Sequence, residues 1–287
     1  MHKFEYFTPK TLEEVLSLLS QYKRRAKIIA GGTDLLVRMK EGKIMPEYLI
    51  SLGSVNGLDH IIQDSSGSFC IGALTTHQSI VDSYLFQGVH QLLATACHKI
   101  GTPQIRNMGT IGGNLCNASP SVDSAPPLLV MEAKLKLANA MGKREVPLDE
   151  FFIGPFQTVM QEDEILTEII IPPLPSRTAG SYQYLTKVTA VDETLLGVAA
   201  LVTMDREVLD DVRLALCSVT PTPIRARQAE GVLKGRKADI DVIEKAAALV
   251  ANEINPRSRA DYRRRMSTLL AKRAINEAII RVANYGG

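Results

Sequence analysis

The sequence predicts a mixed helix-and-strand protein, α/β in its first part and α+β in its last, and three observations carry that class. Short apolar runs alternate with amphipathic segments from residue 12 to about residue 140. The segment Ile171-Pro172-Pro173-Leu174-Pro175 then breaks the chain, since proline can continue neither a helix nor a central strand. Beyond it three strand-like runs come first and three helical runs second, the order of an α+β unit.

Each element follows from local chemistry. Thr11 and Glu14 have the spacing of a capping box and predict a helix over residues 12–22, with Leu12, Val15, Leu16, Leu18 and Leu19 along one face. Residues 27–30 form a short apolar strand, Gly31 and Gly32 force a tight turn, and Asp34 is placed to start a helix over 35–40. Residues 48–52 read as the next strand. The alternation repeats with a strand at 70–72, a helix at 76–83 and a longer helix at 90–100. Thr110-Ile111-Gly112-Gly113-Asn114 predicts a second glycine-rich turn ahead of a polar stretch, 117–124, with Pro120, Pro126 and Pro127 as breakers. Helix and strand resume at 128–131 and 133–138. Past the proline break, strands are expected at 181–188, 195–204 and 212–219, and helices at 225–233, 240–254 and 262–283. The expected domains are residues 1–173, with lobes of about 1–56 and 57–173, and residues 176–287.

Composition narrows the function. With 287 residues, 45% hydrophobic and 22% charged, the chain has the balance of an ordinary soluble protein with a sizeable core. A net charge of +2 is too small to draw nucleic acid or an anionic membrane over a distance. The run Arg257, Arg259, Arg263, Arg264, Arg265, Lys272 and Arg273 reads as a solvated helix face, with docking onto an acidic partner subunit as the next reading; only Tyr262 interleaves for base stacking. The amino terminus lacks the apolar run of a signal peptide, and nowhere do eighteen apolar residues run together, so a cytoplasmic protein without a membrane span is expected. Cys70, Cys97, Cys116 and Cys217 are scattered and form no C-x-x-C pair, so no metal cluster is expected on this chain. His2, His60, His77, His90 and His98 form no close pair, and no nucleophile triad is recognisable.

Chemistry is concentrated in the two glycine segments. In Ala30-Gly31-Gly32-Thr33-Asp34 glycine lets the backbone approach a ligand and turns successive N–H groups into one concavity that holds phosphate oxygens without a lysine. Taken alone, such a turn serves equally to reverse the chain. The Thr110–Asn114 segment adds hydroxyl and amide groups suited to a pyrophosphate. Neither segment fits G-x-G-x-x-G or G-x-x-x-x-G-K-[ST], which disfavours the ordinary Rossmann and P-loop readings.

The stretches IIAGGTDLLVRMK (28–40) and PQIRNMGTIGGNLCNASPSVDSAPP (103–127), in that order and about eighty residues apart, resemble the FAD-binding subunits and domains of the xanthine dehydrogenase and carbon monoxide dehydrogenase group. EILTEIIIP (164–172), YLTKV (184–188) and PTPIRARQAE (221–230) extend the resemblance through essentially the whole chain. It implies a two-lobed FAD-binding domain of the vanillyl-alcohol-oxidase type followed by a smaller α+β carboxy-terminal domain, with FAD in the cleft between lobes. By position, Ile28, Ile29, Ala30, Gly31, Gly32, Thr33 and Asp34 with Thr110, Gly112, Gly113 and Asn114 would hold the cofactor, chiefly its pyrophosphate. Asp123 would accept a hydrogen bond from ribitol or ribose, an Asx cap before Pro126 being its plainer role. Leu166 would flank one end of the cofactor and Ile100 the isoalloxazine, although both also fit plain core positions. Lys187 would lie near the flavin ring, where a cation favours the reduced anionic form, or else be a solvated strand lysine.

The resemblance further implies an electron-transfer role with no catalytic side chain of its own. Electrons would come from [2Fe-2S] clusters on an iron–sulfur subunit, with the molybdenum cofactor on a molybdopterin-binding large subunit, and would pass to NAD or a quinone-type acceptor. The segment from Lys187 to Glu193 lacks an arginine pair seen in many NAD-reducing relatives, which leaves the acceptor open. A self-sufficient flavin oxidoreductase of the same fold, or an assembly protein without FAD, are the alternatives.

Overall fold

The computed structural model describes residues 2–187 and 193–285. Residues 188–192, which hold most of the segment where the arginine pair is missing, lie outside them.

The chain begins with β1 (Glu5–Phe7), α1 (Leu12–Tyr22), β2 (Ala26–Ile29), α2 (Leu35–Lys40) and β3 (Tyr48–Ser51). These strands form a parallel sheet in the order β1-β3-β2. Helix α1 starts where the capping pair puts it: Thr11 Oγ1 accepts from the Glu14 N–H at 3.2 Å, while Glu14 Oε2 accepts from the Lys10 N–H at 2.7 Å, one residue earlier than the standard box. Of its apolar face, Val15 and Leu19 are the fully buried members.

The second lobe contains β4 (Ile61–Gln63), β5 (Phe69–Gly72), α3 (His77–Asp82), α4 (Gln91–Lys99), α5 (Pro103–Met108), α6 (Ile111–Asn117), α7 (Ala125–Val130), β6 (Lys134–Asn139), β7 (Gly142–Pro147), the hairpin β8 (Phe152–Gly154) and β9 (Gln157–Thr158), and β10 (Ile165–Ile171). Five of these strands pair antiparallel in the order β4-β5-β10-β6-β7. The expected second glycine turn is corrected here, because Gly112 and Gly113 lie inside the first turn of α6. Thr110 caps that helix, and tertiary anchoring outweighs the poor helix propensity of two glycines.

Past the prolines, β11 (Thr178–Leu185), β12 (Leu196–Asp205), β13 (Val208–Cys217), β14 (Ile224–Arg225) and β15 (Arg236–Lys237) build an antiparallel sheet with α8 (Arg227–Leu233), α9 (Ile240–Glu253) and α10 (Ala260–Tyr285). The near-continuous apolar run of β12 is explained by burial on both faces. Val198, Ala200 and Val202 point into a core shared with α8–α10, whereas Ala199 and Leu201 join the core of the second lobe, against α7, with α4 packed on the neighbouring β11. The sheet is therefore a wall common to two hydrophobic cores, which fixes the carboxy-terminal domain against the lobe carrying the second glycine segment.

Candidate functional site

The two glycine segments, distant in sequence, meet in space. A Cβ on Gly31 would stand 1.8 Å from the Met108 carbonyl oxygen, so this glycine is required by the close passage of one backbone over the other. Gly32 is needed for its conformation, with φ +71°. Thr33 Oγ1 lies 3.5 Å from the Cβ position of Gly109, and the Cβ position of Gly113 lies 4.0 Å from Ala30 Cβ.

Their N–H groups differ sharply. In the second segment all four successive donors are consumed within the protein: Ile111 N–H donates to Thr75 O at 3.0 Å, Gly112 to Ala73 O at 2.9 Å, Gly113 to Thr110 Oγ1 at 3.1 Å and Asn114 to Thr110 O at 2.9 Å. In the first, the N–H groups of Gly31, Gly32 and Thr33 have no protein acceptor among the described residues. The first segment is thus an open nest of donors, while the second spends its donors within the protein and brings the exposed Gly113 up beside Ala30. Gly112 is a packing glycine, its Cβ position 2.6 Å from both Ala73 Cβ and Ala73 O, while Gly113 is exposed. Asn114 uses its Oδ1 to accept from Ser124 Oγ at 2.7 Å, which leaves its amide N–H groups for the cleft. Asp34 sits at the N-cap of α2 without making a cap bond; surrounding protein raises its carboxyl and Arg38, one turn on, opposes the rise. Ile28 and Ile29 are half-buried on β2, directly behind the nest.

Asp123 is almost fully buried, with both oxygens in use: Oδ1 accepts from Tyr182 Oη at 2.7 Å and Oδ2 from Thr194 Oγ1 at 3.1 Å. Burial pushes its carboxyl up to about 6 against the opposing pull of these two donors. A carboxylate oxygen accepts a second bond, so a ribitol or ribose hydroxyl still has lone pairs to reach. Gly197 makes the arrangement possible, since a Cβ there would stand 2.4 Å from Tyr182 Oη.

Ile100 is the half-buried C-cap of α4. Its carbonyl and that of Gly101 accept from Nη1 of Arg106 at 3.4 and 3.2 Å, and Arg106 Nε donates to Gln78 Oε1 at 3.1 Å. Leu166 is packed into the main core, 3% exposed, so its side chain serves as backing rather than as a cleft surface. Lys187 is exposed, on the wall of a cavity between the second lobe and the carboxy-terminal domain rather than beside the glycine nest. Arg106, Tyr182 and Thr194 escape a reading of the sequence; only Arg106 lies inside a recognised motif, PQIRNMGTIGG, and nothing local says that its side chain turns inward.

The cysteines are free thiols, three of them buried. Among the described residues no group of three or more His, Cys, Asp or Glu is arranged to hold a metal ion, and no helix is long and apolar enough to cross a membrane.

Residues 2–174 match the model of the FAD binding domain in molybdopterin dehydrogenase, and residues 181–278 that of the CO dehydrogenase flavoprotein C-terminal domain. The chain belongs to this family of FAD-binding medium subunits. Similar family members include the carbon monoxide dehydrogenase medium chain of Hydrogenophaga pseudoflava, 33% identical over 98% of this chain and 99% of that one. A putative xanthine dehydrogenase FAD-binding subunit of Escherichia coli K12 is 32% identical over 96% of this chain and 95% of its own length. Among solved structures, carbon monoxide dehydrogenase of Hydrogenophaga pseudoflava lacking the Mo-pyranopterin moiety superposes with a TM-score of 0.93 at 34% identity, covering 97% of this chain and 98% of that one. Quinoline 2-oxidoreductase of Pseudomonas putida 86 gives 0.90 at 26% identity, covering 98% of both chains.

Proposed function

We propose that this chain holds FAD in the cleft between its lobes and relays electrons for a multi-subunit molybdenum hydroxylase. The observation that carries the reading is the nest: three backbone donors without protein acceptors among the described residues, with the exposed Gly113 packed beside the adjoining Ala30. The N–H groups of Gly31, Gly32 and Thr33 would hold the pyrophosphate, with the Thr33 hydroxyl and the Asn114 amide adding donors. Asp123 would orient a ribitol or ribose hydroxyl, and Ile100, held by Arg106, would border the flavin ring. Lys187 would supply positive charge on the ring's far side, while Leu166 would back the cofactor from the core. When bound, FAD supplies exchange of one or two electrons at its ring. The protein's part is to bind, orient and exclude water, so no side chain is assigned a catalytic role.

On this reading an iron–sulfur subunit carrying [2Fe-2S] clusters delivers electrons, a large molybdopterin-binding subunit hydroxylates the substrate, and the assembly works in the cytoplasm with NAD or a quinone-type compound as acceptor. The division of labour is supported by the absence, among the described residues, of any cluster of metal-ligating side chains. An FAD-free scaffold would have no use for donors left open at Gly31, Gly32 and Thr33. The deciding experiment is to purify the chain with its genomic neighbours: one FAD per copy and copurifying iron and molybdenum are expected, and flavin-free active enzyme would refute the proposal.

A further inference from the structure

At the carboxy end of α4 two cations flank Ile100 without a carboxylate to balance them. Arg106, 7% exposed, donates from Nη1 to the carbonyls of Ile100 and Gly101 at 3.4 and 3.2 Å and from Nε to Gln78 Oε1 at 3.1 Å, all neutral acceptors. Lys99 holds its Nζ 4.6 Å from the ring centre of Tyr184, which lies nearly parallel to Tyr182, the partner of Asp123. Among the described residues neither cation forms an ion pair. The similarly enclosed Arg225 shows the usual arrangement, with a Glu230 carboxylate oxygen 2.9 Å from its Nη2. Carbonyls at a helix end carry only a partial negative charge, so they offset the two cations in part. Arg106 also stands one layer behind the glycine nest. Its acceptor Gln78 follows His77, whose Cδ2 lies 3.3 Å from the Cβ position of Gly109, and Thr33 Oγ1 lies 3.5 Å from that same point. Burial first, and the Arg106 charge second, hold His77 at about 4, so at neutral pH it adds no charge there.

We propose that Lys99 and Arg106 raise the reduction potential of the flavin, their missing counter-charge being the reduced ring itself. The inference rests on the flavin reading above, in which Ile100 borders that ring. On reduction the ring takes up two electrons from the iron–sulfur subunit and one proton from water, and is left with one negative charge. A buried cation without a partner is costly in the resting protein, and an anion beside it removes that cost, so this corner favours the reduced ring. At an effective dielectric of about 20 a unit charge shifts an equilibrium by roughly tenfold from about 10 Å, so both side chains act by their field, as tuning residues, without touching the ring. Pyrophosphate is the other anion of the cofactor. The nest and the Asn114 amide already offer it neutral donors, whereas the two cations gather at Ile100.

The test is a reductive titration of the assembled, FAD-loaded enzyme against reference dyes, read from the flavin bands. Arg106→Gln should lower the flavin potential by about 30 mV or more, a tenfold loss in the two-electron reduction equilibrium. Lys99→Met should lower it in the same direction but less, because this cation is nearer to water and better screened. Arg106→Lys and Lys99→Arg keep the charges and should stay close to wild type. If Arg106→Gln fails to fold, the Lys99 variants decide, and Lys99→Met at the wild-type potential would overturn the proposal. A fall in Arg106→Lys as large as that in Arg106→Gln would make the effect one of geometry rather than charge, and would overturn it as well. Weaker FAD binding at an unchanged potential would mean that oxidised and reduced cofactor lose affinity equally, which reassigns the cations to the pyrophosphate. Enzyme purified without any flavin would instead overturn the reading on which the inference rests.

Discussion

Tyr182, on the first strand of the carboxy-terminal sheet, donates its hydroxyl hydrogen at 2.7 Å to the buried carboxylate of Asp123 in the second lobe. The bond crosses the boundary between two cores and ties a residue assigned to the cofactor to the wall that both cores share. Tyr182→Phe keeps the ring and removes the donor, leaving a buried acceptor short of a partner. A loss of about 1–3 kcal/mol in unfolding free energy is expected, together with weaker FAD binding. Denaturant titration and flavin content per chain measure the two effects; no change in either would show that the bond is idle.

The same carboxyl gives the protein a pH signature. Asp123 is held at about 6, above 3.8 for an unperturbed aspartate, so over that interval the folded chain keeps a proton that the unfolded chain has released. Stability therefore falls as pH rises through this window, by about 3 kcal/mol for a shift of about two units, and the penalty is fully present above it. Asp123→Asn lacks this titration. Measured without FAD, wild type should gain on the variant as pH is lowered from 7 to 4; a constant difference between the two would contradict the assignment.

Four glycines should separate by task. Gly31→Ala and Gly112→Ala push a methyl group into backbone at Met108 and Ala73, and should cost about 1–3 kcal/mol or more through forced displacement. Gly113→Val meets only Thr110 Oγ1 at 2.9 Å and the gap toward Ala30, so it should lose FAD with a much smaller fall in melting temperature. Gly32→Val should also lose FAD, but with added strain from its positive φ. Full flavin content in Gly113→Val would remove that residue from the site.

In the carboxy-terminal domain, Glu230 accepts from Arg225 Nη2 at 2.9 Å and from the Leu214 N–H at 2.8 Å, with both side chains nearly buried. Glu230→Ala leaves the nearly buried Arg225 guanidinium with only the half-exposed Glu132, at 3.4 Å, and frees a buried backbone donor, so it should cost up to about 3–5 kcal/mol. Flavin content per folded molecule should stay the same, because the nest is in the other domain. Chemical denaturation combined with flavin absorbance separates the two effects.

What the sequence disclosed, and what it hid, divides along locality. Helix α1 was legible because Thr11, Glu14 and the apolar stripe lie within one segment, and β12 because burial on both faces leaves an unbroken apolar run. Helix α6 is hidden from the sequence: its glycines argue for a turn, and the carbonyls of Ala73 and Thr75 that anchor it come from far upstream. The exposed strand β7, Gly142–Pro147, carries Lys143, Arg144 and Glu145 and offers no apolar alternation to find. In the cleft, the glycine nest was marked by its own residues, but Asp123 meets Tyr182 and Thr194 only through the fold, and Arg106 looks like any helical arginine until its carbonyl acceptors are known.

The relay reading makes a last prediction about what the chain does alone. FAD should be held by backbone donors and hydroxyls without a covalent bond, so acid should release it into solution. The purified chain should show at most a slow transfer from NADH to a dye, and no oxidation of purines or aromatic heterocycles. Hydroxylation needs a centre that activates water, and none of the described residues is arranged to hold a metal for that purpose. Adding the partner subunits should restore the whole reaction, and if exposed charges on the segment from Arg257 to Arg273 help docking, added salt should weaken assembly. Turnover of a heterocycle by this chain alone, with metals removed by a chelator, would end the relay reading in favour of an independent flavin oxidoreductase.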